Sequence, residues 1–143
     1  MNQAKWDQRY MDQAQLKASW SKDSVQVGAV IVTPDYLPVS DGFNGPPRGV
    51  DDEYFMQYKG AKLHAEENAI LLARRDLRNH TIYIWPLMCC DHCAAMIAQV
   101  GITRVVIPYQ EDNEVIRKWK PQFDVALEIL QARKIKIDVL SYT

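Results

Sequence analysis

With 143 residues, 48% of them hydrophobic and 24% charged, the chain has the composition of a folded globule, and one domain spanning 1–143 is the expectation. A net charge of −1 gives no long-range pull on a polyanion, so a polynucleotide is a poor partner. No run approaches a membrane span, the start Met1-Asn2-Gln3-Ala4-Lys5-Trp6 is polar, and the three cysteines fall within five positions. A cytoplasmic, non-membrane protein with a metal site follows better from this than a disulfide-stapled one.

Along the chain, Trp6, Tyr10 and Leu16 are spaced for a helix from Lys5 to about Ser19, which Ser21-Lys22-Asp23-Ser24 breaks. Val25 to Val32 is compact and rich in β-branched residues, a buried strand ended by Pro34. Leu37 to Phe43 pairs with it as a hairpin across Thr33-Pro34-Asp35-Tyr36. Gly42 to Leu63 is a long irregular connection in which Tyr54, Phe55, Met56 and Tyr58 supply apolar surface, the pattern of a folded functional loop. His64 to Arg75 has helical spacing, and Thr81 to Trp85 is a short strand. Asp91 to Val100 is a helix stopped at Gly101. Arg104 to Ile107 is a strand, Phe123 to Ala132 a helix behind Pro121, and Ile135 to Leu140 a last strand. A hairpin followed by βαβ crossovers predicts an α/β fold: a mixed sheet with helices on both faces, a three-layer α/β/α sandwich.

Two short motifs carry chemistry. His64-Ala65-Glu66 offers an imidazole with a carboxylate two residues on, and Cys90-Asp91-His92-Cys93 offers two thiols one helical turn apart. One imidazole and two thiolates, His64, Cys90 and Cys93, make a three-ligand zinc site with an open fourth position, the arrangement of a catalytic zinc. Both groups precede or open a helix, where the backbone N–H groups favour thiolate. Glu66 is then left unligated as acid and base for the water that zinc activates. Two alternatives stay open. Cys89 and His92 repeat the spacing of Cys90 and Cys93, so the ligand pair could be shifted by one; and His92 could close a purely structural site. Cys89 is otherwise a core or outer-shell residue, and His80 a surface residue at a turn.

The H-x-E…C-x-x-C pairing is the signature of zinc nucleobase deaminases. With Ser21-Lys22-Asp23-Ser24-Val25-Gln26-Val27-Gly28-Ala29, Gly42-Phe43-Asn44-Gly45-Pro46-Pro47-Arg48-Gly49, His64-Ala65-Glu66-Glu67-Asn68-Ala69 and Cys90-Asp91-His92-Cys93-Ala94, the chain resembles the deoxycytidylate (dCMP) deaminase family of the cytidine deaminase superfamily. It does so as a divergent subgroup: Cys89 stands where a Pro usually precedes the first zinc cysteine, and one extra residue lies before it. The resemblance implies a five-stranded mixed sheet with helices on both sides and the zinc-dependent conversion of dCMP and water to dUMP and ammonia. It puts Asn44 at the substrate sugar and the main chain around Ala65 at the base edge. Lys22 and Arg48 are offered as phosphate contacts on charge and position. Arg75 falls where regulated members carry an arginine tied to nucleotide regulation, with Arg74 beside it. The segment between Asp52 and His64 is shorter than in members that bind a second, structural zinc, and few Cys and His are spare, so one zinc ion per chain is expected; the resemblance implies a homo-oligomer between dimer and hexamer. It extends to dCTP and dTTP as effectors, with Mg²⁺ only where such a triphosphate binds. Another small aminated nucleoside, nucleotide or base is the alternative substrate, and a non-catalytic zinc module the alternative class.

Overall fold

The computed structural model describes residues 2–51, 53 and 62–141. Its elements in chain order are α1 (Gln3–Ala18), β1 (Gly28–Val32), β2 (Pro38–Phe43), α2 (Ala65–Ala73), β3 (Thr81–Trp85), α3 (Asp91–Gln99), β4 (Arg104–Pro108), α4 (Glu114–Ala132) and β5 (Lys136–Leu140). The strands form one five-stranded sheet in the order β2-β1-β3-β4-β5. β1 runs antiparallel to both β2 and β3, whereas β3, β4 and β5 run parallel. This is the expected mixed sheet.

The pleat divides the core between two layers. Ala29 and Ile31 of β1, Ile82 and Ile84 of β3, and Val105 and Ile107 of β4 point to one face, where they meet α2, α3 and α4. Val30, Val32, Tyr83 and Val106 point to the other, against Tyr10, Met11 and Ala14 of α1. Strands covered on both faces have no solvent side to keep polar, which is why β1, β3 and β4 read as unbroken apolar runs.

The three-layer sandwich is observed, and four element boundaries differ from expectation by two residues or more. β1 begins at Gly28, not Val25, because Val25 and Val27 spend their backbone groups on a side chain: Val27 N–H donates to Asn44 Oδ1 (2.9 Å) and Val25 C=O accepts from Asn44 Nδ2 (2.7 Å). α1 starts at Gln3, capped by the Asn2 side chain, which accepts from Lys5 N. α2 ends at Ala73 because Arg74 adopts a left-handed conformation (φ 52°). α4 starts at Glu114 and runs through Pro121, which costs one internal hydrogen bond. The Asn113 side chain accepts from Ile116 N–H (3.0 Å) and starts the helix seven residues before that proline. The stripe Ile116, Trp119, Phe123, Ala126 and Leu130 then packs it continuously against the core. His80, expected at the surface, is buried: its Nδ1 lies 2.9 Å from the Arg78 carbonyl, and its backbone bonds Leu77 and Thr103.

Behind the sheet, Asp7 is tied into a charged network spanning α1, β3, β4 and β5. The Arg104 guanidinium grips both Asp7 oxygens (2.9 and 2.7 Å) and donates through Nε to Asp138 (2.7 Å), while Tyr83 O–H donates to Asp7 (2.6 Å). Burial and the neighbouring carboxylate push the Tyr83 hydroxyl far above its ordinary value, so it stays a donor. No described helix is long and apolar enough to cross a membrane.

Candidate active site

Two helix N-termini make the site. His64 is the residue before the first turn of α2, and Cys90 is the corresponding residue of α3, where its sulfur accepts from Cys93 N–H (3.4 Å). Four backbone N–H groups at each helix start lack internal partners, so both ends present positive potential to the same spot. His64 is fixed by its own backbone: its N–H donates to Glu67 Oε1 (3.0 Å), the reciprocal half of a capping box.

The position of α2 relative to the sheet is set by contacts to β2. Asn68 Nδ2 donates to the Phe43 carbonyl (2.8 Å), and Ser40 Oγ donates to the Ala69 carbonyl (2.7 Å). Gly42 lies between them. A Cβ there would sit 2.7 Å from Ala65 O, 2.8 Å from Ala69 N and 2.8 Å from Asn68 Cβ, so the absence of a side chain is what lets α2 approach.

The result gathers three donors. His64 Nδ1 is 3.4 Å from Cys90 Sγ and 3.3 Å from Cys93 Sγ, and all three ligand atoms lie within 4.8 Å of one another. A tetrahedral zinc with ordinary bond lengths requires its nitrogen and sulfur ligands about 3.6 Å apart, so this donor set fits that ion with little adjustment. The shifted pair is not used. Cys89 is fully buried in the core, and His92 is 72% exposed, with Nε2 4.0 Å from Glu67 Oε2. The Cys90 thiol is lowered to about 4 by the Cys93 and His64 groups that donate to it, which is the electrostatic preparation a metal thiolate needs. Cys93, sharing that hydrogen bond and more deeply buried, moves up instead. Cys89 is raised, chiefly by burial, as an inert core thiol.

Glu66 is 4% exposed and is not among the gathered donor atoms. Burial is the largest influence on it and pushes its carboxyl up to about 7, against a smaller downward pull from His64. The site opens into a cavity of about 310 Å³ whose lining includes Glu66, Ala65, Asn44, Trp119 and Phe123. Asn44 is itself buried. The Ser21 hydroxyl donates to its backbone carbonyl (2.8 Å), and its amide is braced on Val25 and Val27.

Of the residues singled out in the sequence, His64, Ala65, Glu66, Cys90 and Asn44 line this cavity, with Cys93 beneath. Lys22, Arg48 and Arg75 are exposed and are not part of its lining. The segment carrying Tyr54, Phe55, Met56 and Tyr58 lies outside the described residues. Two cations missed in the sequence do line the cavity, Lys62 and Lys118. Lys62 is bound to Asp23 (2.8 Å). Burial alone would raise the Asp23 carboxyl, but the Lys62 ammonium, with Val25 N–H and the Ser24 hydroxyl, outweighs it and holds Asp23 below its usual value. Nothing in the spacing marks either lysine. The i, i+4 pair Trp119/Phe123 could have suggested an inward face of α4, had Pro121 not been read as a helix start.

Residues 4–108 match the model of the cytidine and deoxycytidylate deaminase zinc-binding region. The chain is 35% identical over 124 residues to the deoxycytidylate deaminase of Pongo abelii, an alignment covering 76% of this chain and 69% of that one. The chain belongs to the dCMP deaminase family. To an uncharacterized deaminase in the luxG 3′ region of Aliivibrio fischeri it is 40% identical over 139 residues, covering 94% of this chain and 92% of the relative. The fold is that of the dCMP deaminase of cyanophage S-TIM5, crystallised in complex with dCMP and dUMP. That match has a TM-score of 0.75 and 22% identity, covering 98% of this chain and 99% of the other. As a zinc-dependent deaminase-type hydrolase, the chain has its family's zinc-binding region over residues 4–108, and within that span His64, Cys90 and Cys93 are gathered as a group that could hold a metal ion, three donors and no fourth among the described residues.

Proposed function

We propose that this deaminase hydrolyses the amine of a cytosine nucleotide, converting dCMP and water to dUMP and ammonia. The observation that carries the reading is Glu66, a buried carboxyl left outside an N,S,S donor set at the floor of a cavity that Asn44 also lines. A purely structural metal site has no use for such a group. The dCMP deaminases among the relatives and the structural neighbour crystallised with dCMP support the choice of substrate.

His64, Cys90 and Cys93 would hold the zinc ion, which as a Lewis acid lowers the pKa of a water in its open position. Glu66 takes one proton from the attacking water and gives it to the ring nitrogen beside the amine-bearing carbon. A second proton passes through the same carboxylate to the departing amine, which leaves as ammonia. A carboxyl poised near neutrality by burial can both accept and release a proton in this way. Ala65, buried between ligand and shuttle, presents its main chain to the base edge. Asn44 uses one of its two amide N–H donors on Val25 and turns the other to the sugar. Homo-oligomerisation, and dCTP or dTTP as effectors with Mg²⁺, belong to the same reading; light scattering and added triphosphates in the assay below test them.

The test is ammonia release by the zinc-loaded protein from dCMP, CMP, deoxycytidine, dCTP and single-stranded DNA, beside the Glu66→Gln variant. We expect dCMP to be preferred, and Glu66→Gln to keep its zinc while turnover falls about 10²–10⁴-fold. Undiminished turnover by Glu66→Gln would remove the shuttle, and no release from any substrate would remove the deaminase reading.

A further inference from the structure

We infer that α4 closes the substrate site, with Lys118 as the cation that receives the 5′-phosphate and Trp119 and Phe123 as the wall the base packs against. The inference deepens the proposed function and rests on it, since it assumes a nucleotide substrate.

Among the described residues, four side chains of formal charge line the cavity apart from the metal ligands: Asp23, Glu66, Lys62 and Lys118. Asp23 and Lys62 neutralise each other at 2.8 Å, in a pair whose side chains are 11% and 29% exposed. Glu66 is committed to the reacting end. Lys118 is the remaining charge among the described lining residues, and it favours an anion at the mouth. Its ammonium lies 5.8 Å from the Trp119 ring centroid, and no carboxylate pairs with it among the described residues. Its neighbours differ on both counts. Arg117 is bound to Asp112 and Lys120 to Asp124, and neither lines the cavity.

The register of α4 explains the division. Trp119 and Phe123 are four residues apart on the inward stripe, partly buried and 9% exposed respectively. Lys118 sits at the edge of that stripe, where an aliphatic stem can lie along apolar surface while the charged head stays at the rim. One helix therefore supplies a flat apolar wall inside and a cation outside, the order in which a base and a 5′-phosphate follow each other along a nucleotide. Lys22 and Arg48, the phosphate contacts offered by the sequence, are exposed and outside this lining.

The experiment measures kcat and KM of the zinc-loaded enzyme and of Lys118→Gln, Lys118→Glu and Lys118→Arg on dCMP and on deoxycytidine, at low and high salt. Lys118 is exposed, and thermal melts confirm that each variant is folded. We expect Lys118→Gln to raise KM for dCMP and to lower the ratio of dCMP to deoxycytidine kcat/KM about ten- to a hundredfold, the scale of one charge-assisted hydrogen bond. Lys118→Glu should lower it further, and Lys118→Arg should restore most of it. Added salt should erode the preference in the wild type more than in Lys118→Gln. If the wild type prefers dCMP and Lys118→Gln keeps the full preference, the phosphate is held elsewhere and this inference falls while the proposed function stands. If the wild type itself turns over deoxycytidine as well as dCMP, the nucleotide reading fails and takes this inference with it.

Discussion

Gly42→Ala is the sharpest test of how the fold positions the chemistry. The added Cβ would lie 2.7 Å from the carbonyl oxygen of Ala65, the residue between the proposed ligand His64 and the proposed shuttle Glu66. Restoring ordinary contact at 3.4 Å requires β2 and the start of α2 to separate by about 0.7 Å. Two further contacts at 2.8 Å, to Ala69 N and Asn68 Cβ, block a simple tilt, and the Asn68 and Ser40 hydrogen bonds to the neighbouring strand and helix resist translation. Overpacking of this kind costs about 1–3 kcal/mol, roughly 3–10 °C in Tm for a chain of this size. The functional cost should exceed what stability alone implies, because a shift approaching 1 Å in a reacting group costs up to about a hundredfold in rate. Gly28→Ala is the control. Its Cβ would meet the Ala14 carbonyl oxygen at 1.9 Å, a worse clash, but on α1 across the sheet from the metal site. We expect Gly28→Ala to lose at least as much stability while keeping turnover per bound zinc. Gly42→Ala should lose about ten- to a hundredfold in kcat/KM per bound zinc. Melting curves, metal content and steady-state rates on the same preparations give the comparison. Equal turnover per zinc in the two variants would show that the β2–α2 contact does not set the site.

The ligand assignment predicts that Cys90→Ala and Cys93→Ala each lose zinc on dialysis, whereas Cys89→Ala retains it and costs only about 1 kcal/mol for the small core void. Metal analysis by mass spectrometry decides, and zinc loss from Cys89→Ala would move the ligand pair. Across the sheet, Asp7→Ala leaves the guanidinium of Arg104, whose side chain is 12% exposed, with Asp138 as its one described carboxylate partner beside a long contact to the Tyr83 hydroxyl (3.4 Å). Breaking a buried pair in this way costs about 3–5 kcal/mol by urea denaturation, and Arg104→Met in the same chain should recover part of it. A loss below about 1 kcal/mol would mean that the network is no better than a surface ion pair.

The metal centre is legible in the sequence because its geometry is local. A helix N-terminus places i and i+3 side chains on one side, so Cys90 and Cys93 converge by spacing alone, and His64-x-Glu66 sets the proposed ligand and shuttle on consecutive faces of one turn. The strands are legible for a related reason. Burial on both faces removes alternation from β1, β3 and β4, leaving continuous apolar stretches too short to form a buried helix. Where local pattern competes with tertiary packing, the reading fails. Pro121 ordinarily starts or ends a helix, but the Asn113 cap and the stripe from Ile116 to Leu130 outweigh the one hydrogen bond it removes. Val25 and Val27 have strand propensity but bond to the Asn44 amide, which arrives from a loop 17 to 19 residues later.

The substrate end of the site is the least local part, and that determines what could be read there. Asp23, Lys62 and Lys118 come from three segments separated by 39 and 56 residues, and no spacing rule connects them. Charge and motif membership alone selected Lys22 and Arg48. The structure shows why membership misleads: in Ser21-Lys22-Asp23-Ser24 it is Asp23, not the lysine, that turns toward the cavity, and it does so to bind Lys62. A sequence motif can therefore mark a substrate-binding segment through the residue that neutralises a neighbour. The cation left unneutralised lies on α4, outside the residues 4–108 that match the family's zinc-binding region. On the proposed reading, with chemistry on α2 and α3 and recognition on α4, substrate preference can change without disturbing the metal or its proton shuttle.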